Sequence, residues 1–179
     1  MSFATILKRA ISRAITIFSA LGLAWPAAML ARAAMRTAIS ATPSEGNAGK
    51  TICALLLPRS RFNDDALNAL KAIGSIEVLK LPRNVVKGIA AAFLPPEVDD
   101  NSYLPSPPSA EAAKMRYRAF LMRFWRYLDP HRRIDAVVTG NFGYYAEHEF
   151  AAALEALGVP FIALHKENSW SVGSQEFWE

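Results

Sequence analysis

The sequence predicts an α/β fold: a parallel sheet of about four strands flanked by helices, preceded by an apolar N-terminal helix. Three observations carry this reading. Four short apolar runs recur between residues 51 and 164, as expected of strands buried on both faces. Each run is separated from the next by a stretch with helical spacing of its apolar residues. Proline and glycine stand at the junctions, where they stop one element and admit the next.

The elements follow in order. Residues 51–57 (TICALLL) form the first strand, ended by Pro58. Asn63, Asp64 and Asp65 supply helix-start chemistry, and Ala66, Leu67, Leu70 and Ile73 make the apolar side, with Gly74 as the C-terminal glycine. Residues 76–81 (IEVLKL) are the second strand, stopped by Pro82, and a short helix follows over 84–94. Residues 95–109 are a proline-rich loop. A long helix spans 110–128, with an apolar stripe of Tyr117, Phe120, Leu121, Phe124, Tyr127 and Leu128 set against Arg116, Arg118, Arg123 and Arg126. Residues 134–139 (IDAVVT) are the third strand, 147–157 a helix closed by Gly158, and 159–164 (VPFIAL) the fourth strand. Strands alternating with helices imply right-handed crossovers and a parallel sheet.

The region before residue 51 is different. Residues 14–31 carry no charge over 18 positions, which is the lower limit for crossing a hydrocarbon core. Pro26 inside the run is expected to kink or end a helix. The segment 1–39 is read as a membrane-associated helix, with a cleavable export signal and an ordinary packed helix as alternatives. Arg9, Ser12, Arg13, Thr16 and Ser19 fall on one helical face, which an in-plane helix would turn toward water. Residues 40–50 are small and polar and read as a linker to a domain over 51–179.

Charge and cysteine narrow the function classes. Residues 1–44 hold Lys8, Arg9, Arg13, Arg32 and Arg36 and no acid, while the remainder is close to neutral. A nucleic-acid partner is therefore not expected. Cys53 is the single cysteine, so a disulfide framework is excluded. Gly49, Lys50 and Thr51 resemble the end of a phosphate-binding loop, but they follow a linker and open a strand, the wrong context. His131, His148 and His165 lack ligand-like spacing, and no metal or cofactor is expected. Glu147 and Glu149 flank His148 in the first turn of a helix, where acids favour the dipole.

An open parallel sheet binds ligands beyond the carboxyl ends of its strands. Arg59, Arg61 and Asn63 follow the first strand, Asn141 and Tyr144 the third, and His165, Lys166, Glu167 and Asn168 the fourth. Arginine forks suit phosphate or carboxylate, and His165 or Glu167 could take a proton from a hydroxyl. Asn141, Tyr144, Lys166 and Asn168 complete the substrate-binding set.

The run over 132–168 (RRIDAVVTGNFGYYAEHEFAAALEALGVPFIALHKEN), with LLLPRSRFNDDALNALKA near its start, resembles the N-terminal domain of Rossmann-like glycosyltransferases of the GT-B type, of the bacterial surface-carbohydrate kind. The resemblance implies a domain that receives the acceptor, a glycan or lipid hydroxyl, while a second domain binds the activated sugar. It implies His165 or Glu167 as base and Arg59 and Arg61 on an anionic group. No second Rossmann-like half is read in the sequence, and Trp170, Phe177 and Trp178 stand at the end with little chain to cover them. The expectation is a half-enzyme inactive alone, at the cytoplasmic face of a bacterial inner membrane. The alternative is an exported or tethered non-catalytic binding domain.

Overall fold

A computed structural model describes residues 3–41, 51–58, 63–94, 108–140 and 145–164. It contains six helices, α1 (Phe3–Ala20), α2 (Ala24–Ala34), α3 (Asn63–Lys71), α4 (Arg83–Ala91), α5 (Pro108–Leu128) and α6 (Tyr145–Glu155). Its five strands are β1 (Arg36–Ile39), β2 (Ile52–Leu57), β3 (Ile76–Lys80), β4 (Ala136–Thr139) and β5 (Phe161–Ala163). They form one sheet in the order β1-β3-β2-β4-β5. The β3-β2, β2-β4 and β4-β5 pairs are parallel, and β1 joins the edge antiparallel to β3. The result is an α/β sheet of Rossmann-like character.

The four parallel strands lie where the apolar runs place them. β2 and β4 are buried on both faces because they sit in the middle of the sheet. A reciprocal clamp sets their register at the amino edge: Cys53 N donates to Asp135 Oδ2 at 3.0 Å, and Asp135 N donates to Cys53 O at 2.8 Å. Asp129 closes the preceding turn by accepting from the amides of Arg133 and Ile134 at 2.9 and 3.0 Å.

One face of the sheet holds the main core. Cys53, Leu55, Leu57, Leu81 and Val137 meet Val86, Ile89, Tyr117, Phe120, Phe124, Phe150 and Leu154 from the helices. Rings pack along α5, with Phe93 and Phe120 tilted and their centroids 5.0 Å apart, and Trp125 edge-on to Phe150 at 5.8 Å. The α5 stripe differs from its expected form at one position. Trp125 is buried and Tyr127 is half exposed, because α5 turns its 121/125/128 side toward α6. The other face, with Ala54, Leu56, Ile76, Val78 and Val138, is covered by Ala66 and Leu70 of α3.

The N-terminal region departs from one apolar helix, while residues 42–50 of the expected linker lie outside the described residues. The region is two helices and a strand. The break falls at Gly22, whose φ of 71° closes α1, a conformation that glycine adopts without steric cost. Pro26 breaks nothing. It sits in the first turn of α2, where the missing amide has no intrahelical partner to lose. No described helix is long and apolar enough to cross a membrane. α2 packs on α5 through Ala24, Ala27, Ala28 and Ala31, and α1 packs on α2 and α4. The chain then passes through Met35 alone into β1.

The hydroxyl side of α1 faces the protein. Asn84 Nδ2 donates to Ser12 Oγ at 2.5 Å, and Thr16 Oγ1 donates to Ser12 O at 3.0 Å. A Cβ on Gly88 would stand 2.9 Å from Thr16 Oγ1, so the glycine lets α4 close on α1. Ser19 is fully buried. The polar face expected to meet water is thus split: Ser12, Thr16 and Ser19 turn inward, while Arg9 and Arg13 remain exposed.

Candidate functional site: a cationic cleft at the carboxyl edge

The described residues form a cleft of about 420 Å³ beyond the carboxyl ends of β2 and β3. Its floor is Pro58, where β2 ends, and Lys80 and Pro82, where β3 ends. Leu7, Ile11 and Ser12 of α1 form one wall, Ala33 and Ala34 of α2 another, and Asn84 and Val85 of α4 a third. Arg36, the first residue of β1, completes it. The position is the one expected of a ligand site in an open α/β sheet.

The lining is apolar apart from two cations and the Ser12–Asn84 pair. Arg36 and Lys80 stand directly opposite each other in the antiparallel β1-β3 ladder. Like charges so placed repel. Among the described residues no carboxylate bridges them, and a bound anion would relieve the repulsion. The hydroxyl of Ser12 accepts from Asn84, which aligns α1 with the start of α4 at the cleft wall. No carboxylate or imidazole belongs to the described lining.

A second cluster anchors the neighbouring strand end. Glu147, in the first turn of α6, is fully buried and paired with Arg83 of α4. Glu149 is buried and takes Arg118 Nε at 2.7 Å from α5. Tyr117 Oη donates to Ala146 O at 3.1 Å. Both acids are therefore held by interhelical arginines rather than standing as solvated first-turn charges. Arg83 directly follows Pro82 of the cleft, so the pair ties the cleft wall to α6.

Of the residues expected at the site from sequence, Asn63 alone is described. It opens α3 and is half-buried, with Oδ1 enclosed and accepting no hydrogen bond from the described residues; it does not line the cleft. Arg59, Arg61, Asn141, Tyr144, His165, Lys166, Glu167 and Asn168 lie outside the described residues, as do Trp170, Phe177 and Trp178. By sequence, Arg59 directly follows Pro58 of the cleft floor, and Arg61 comes two positions later. Sequence reasoning missed Ser12, Arg36, Lys80 and Asn84. A signal existed for Arg36, the last cation of an acid-free stretch, but not for its pairing with Lys80.

Fold and cleft together define a Rossmann-like α/β domain with a cationic, apolar-walled cleft at the carboxyl edge of its sheet. Comparison of the chain with protein-family models, with curated proteins and with solved structures finds no match.

Proposed function

We propose that this chain is the acceptor side of a glycosyltransferase, seating an amphiphilic acceptor with an anionic group while a separate domain supplies the activated sugar. The observation that carries the reading is the cleft itself. Arg36 and Lys80 are matched to a phosphate or carboxylate, and Leu7, Ile11, Ala33, Ala34 and Val85 to an alkyl or prenyl portion. The family resemblance of 51–179 supplies the reaction class, with His165 or Glu167 as the base.

The test is calorimetric titration of the full chain with octyl phosphate below its micelle concentration, with octyl glucoside as the uncharged control. Saturable binding of the phosphate alone is expected. Arg36→Gln or Lys80→Gln should each weaken it by roughly tenfold, the usual worth of one charge-assisted hydrogen bond. Equal binding of the two amphiphiles would overturn the reading. So would micromolar binding of UDP-, GDP- or CMP-sugars, about −8 kcal/mol, because it would place a donor site in this domain.

A second reading is a non-catalytic binding domain, exported or tethered, favoured by apolar walls beside paired cations, which suit retention of an anionic ligand. The two part on the head group. Adding glycerol to the phosphate, and so a hydroxyl to be glycosylated, tightens binding to an acceptor site and leaves a simple carrier site indifferent.

A further inference from the structure

We infer that the outer side of the α1–α2 hairpin is a docking surface for an anionic lipid bilayer, engaged in the plane of the headgroups without spanning it. The inference stands independently of the acceptor reading.

It starts from how the hairpin spends its residues. The inner side of α2 is Ala24, Ala27, Ala28 and Ala31, all buried against α5, and the inner side of α1 is Ser12, Ile15 and Ser19. Alanines and Ser19 take up most of the hairpin's buried positions, with Ile15 the large exception. Several large side chains face out: Leu21 is 66% exposed, Trp25 59% and Ile17 58%, and Ile6, Leu7 and Leu23 are each nearly half exposed. Of the eleven large hydrophobic residues exposed among the described residues, these six lie in the first 25 positions. Solvation of so much apolar surface on one short hairpin is unfavourable, and such patches mark an interaction site.

Spacing gives the surface its form. Ile6, Arg9, Arg13, Ile17 and Ala20 follow one another at helical intervals along the exposed side of α1. Leu21 and Leu23 project at the tip, with Gly22 making the turn, and Trp25 stands beside them. An apolar tip with a tryptophan at its margin is the arrangement that seats at the boundary of headgroups and acyl chains.

Charge selects the occupant. Arg9, Arg13 and Arg32 are exposed on the hairpin, and no acidic residue occurs before Glu45. Long arginine stems lie along apolar surface while their heads reach phosphate. A protein partner would need a surface both apolar and acidic, whereas an anionic bilayer presents that combination everywhere.

Co-sedimentation of the full chain with vesicles is the test. Strong partition onto mixed phosphatidylglycerol–phosphatidylcholine vesicles is expected, weaker partition onto phosphatidylcholine alone, and loss of the difference in high salt. The variant Leu21→Ser/Leu23→Ser/Trp25→Ser should reduce partition by about tenfold or more. Its thermal melt should match the parent's, since all three side chains are exposed. Arg9→Gln/Arg13→Gln should leave weak binding but abolish the preference for phosphatidylglycerol. Retention of octyl phosphate binding by the tip variant, and of vesicle binding by Lys80→Gln, would separate this surface from the cleft. Unchanged partition of the tip variant would overturn the inference. So would light scattering that shows a dimer which the tip variant converts to monomer, because the surface would then belong to a second copy of the chain.

Discussion

The two faces of the sheet carry unequal loads. On one, α5 and α6 bring four fully buried aromatic side chains, Tyr117, Phe120, Phe124 and Phe150, onto β2 and β4, and α2 and α4 complete the cover. On the other, among the described residues, α3 offers Ala66, Leu67 and Leu70, with Ala38, Ile39 and Leu164 beside them, and Ile162, the partner of Val138, is 44% exposed. Apolar strands demand cover on both sides, but the demand is met by volume on one side and by proximity on the other. Among the described residues, buried volume is therefore concentrated in the helix-rich layer. The carboxyl-edge cleft lies at the margin of that layer, between α1, β3 and α4.

Substitutions rank the difference. Phe120→Ala should be the most damaging, costing about 4 kcal/mol in chemical denaturation, because it opens a cavity beside Phe93 and Phe124. Glu147→Ala follows at about 3 kcal/mol, since it leaves the Arg83 guanidinium largely buried without its carboxylate. Arg83→Met with Glu147→Leu should restore most of that loss. Leu70→Ala on the thin face should cost only about 2 kcal/mol. A cost equal to that of Phe120→Ala would break the comparison.

The helix-rich layer also contains a close approach that can be tested by itself. Gly88→Ala should destabilise by about 1 kcal/mol, because the added methyl meets Thr16 Oγ1 at 2.9 Å. Combined with Thr16→Ala, the same change should become neutral or stabilising as the helix propensity of alanine is recovered. A pH-dependent effect concerns Cys53, whose thiol is pushed up to about 11 from 9.0 by burial and then by the negative charge of Glu77. Between those values the unfolded thiol ionises while the folded one keeps its proton, so stability falls as pH rises from 9 toward about 11. Cys53→Ala should remove that part of the slope, and the parent thiol should alkylate slowly at neutral pH.

The parallel strands were legible to within a residue or two because a buried strand writes itself as an apolar run and proline or glycine marks its end. α3 and α6 were legible for the same reason, with Gly74 and Gly158 at positive φ past their last turns. β1 was not. Arg36–Ile39 is short, half exposed and paired antiparallel at the edge, so neither an apolar run nor a turn signal announces it. The hairpin was misjudged because Pro26 outweighed Gly22 as a breaker, although proline in a first turn is harmless. Locating a site at the carboxyl edge followed from sheet class. Its cations did not, because Arg36 and Lys80 are 44 positions apart in sequence and meet only through β1 pairing with β3.

The joint between α2 and β1 is one residue, Met35. Consecutive Cα atoms are about 3.8 Å apart, so this joint has no slack, and α2 is locked besides to α5 and β1 to β3. Hairpin and sheet turn together as a single lever. Any surface that captures the hairpin also sets the bearing of the cleft, whose mouth carries Leu7 of that same hairpin. A captured molecule would search for ligand in two dimensions with its site already aimed, rather than tumbling through three.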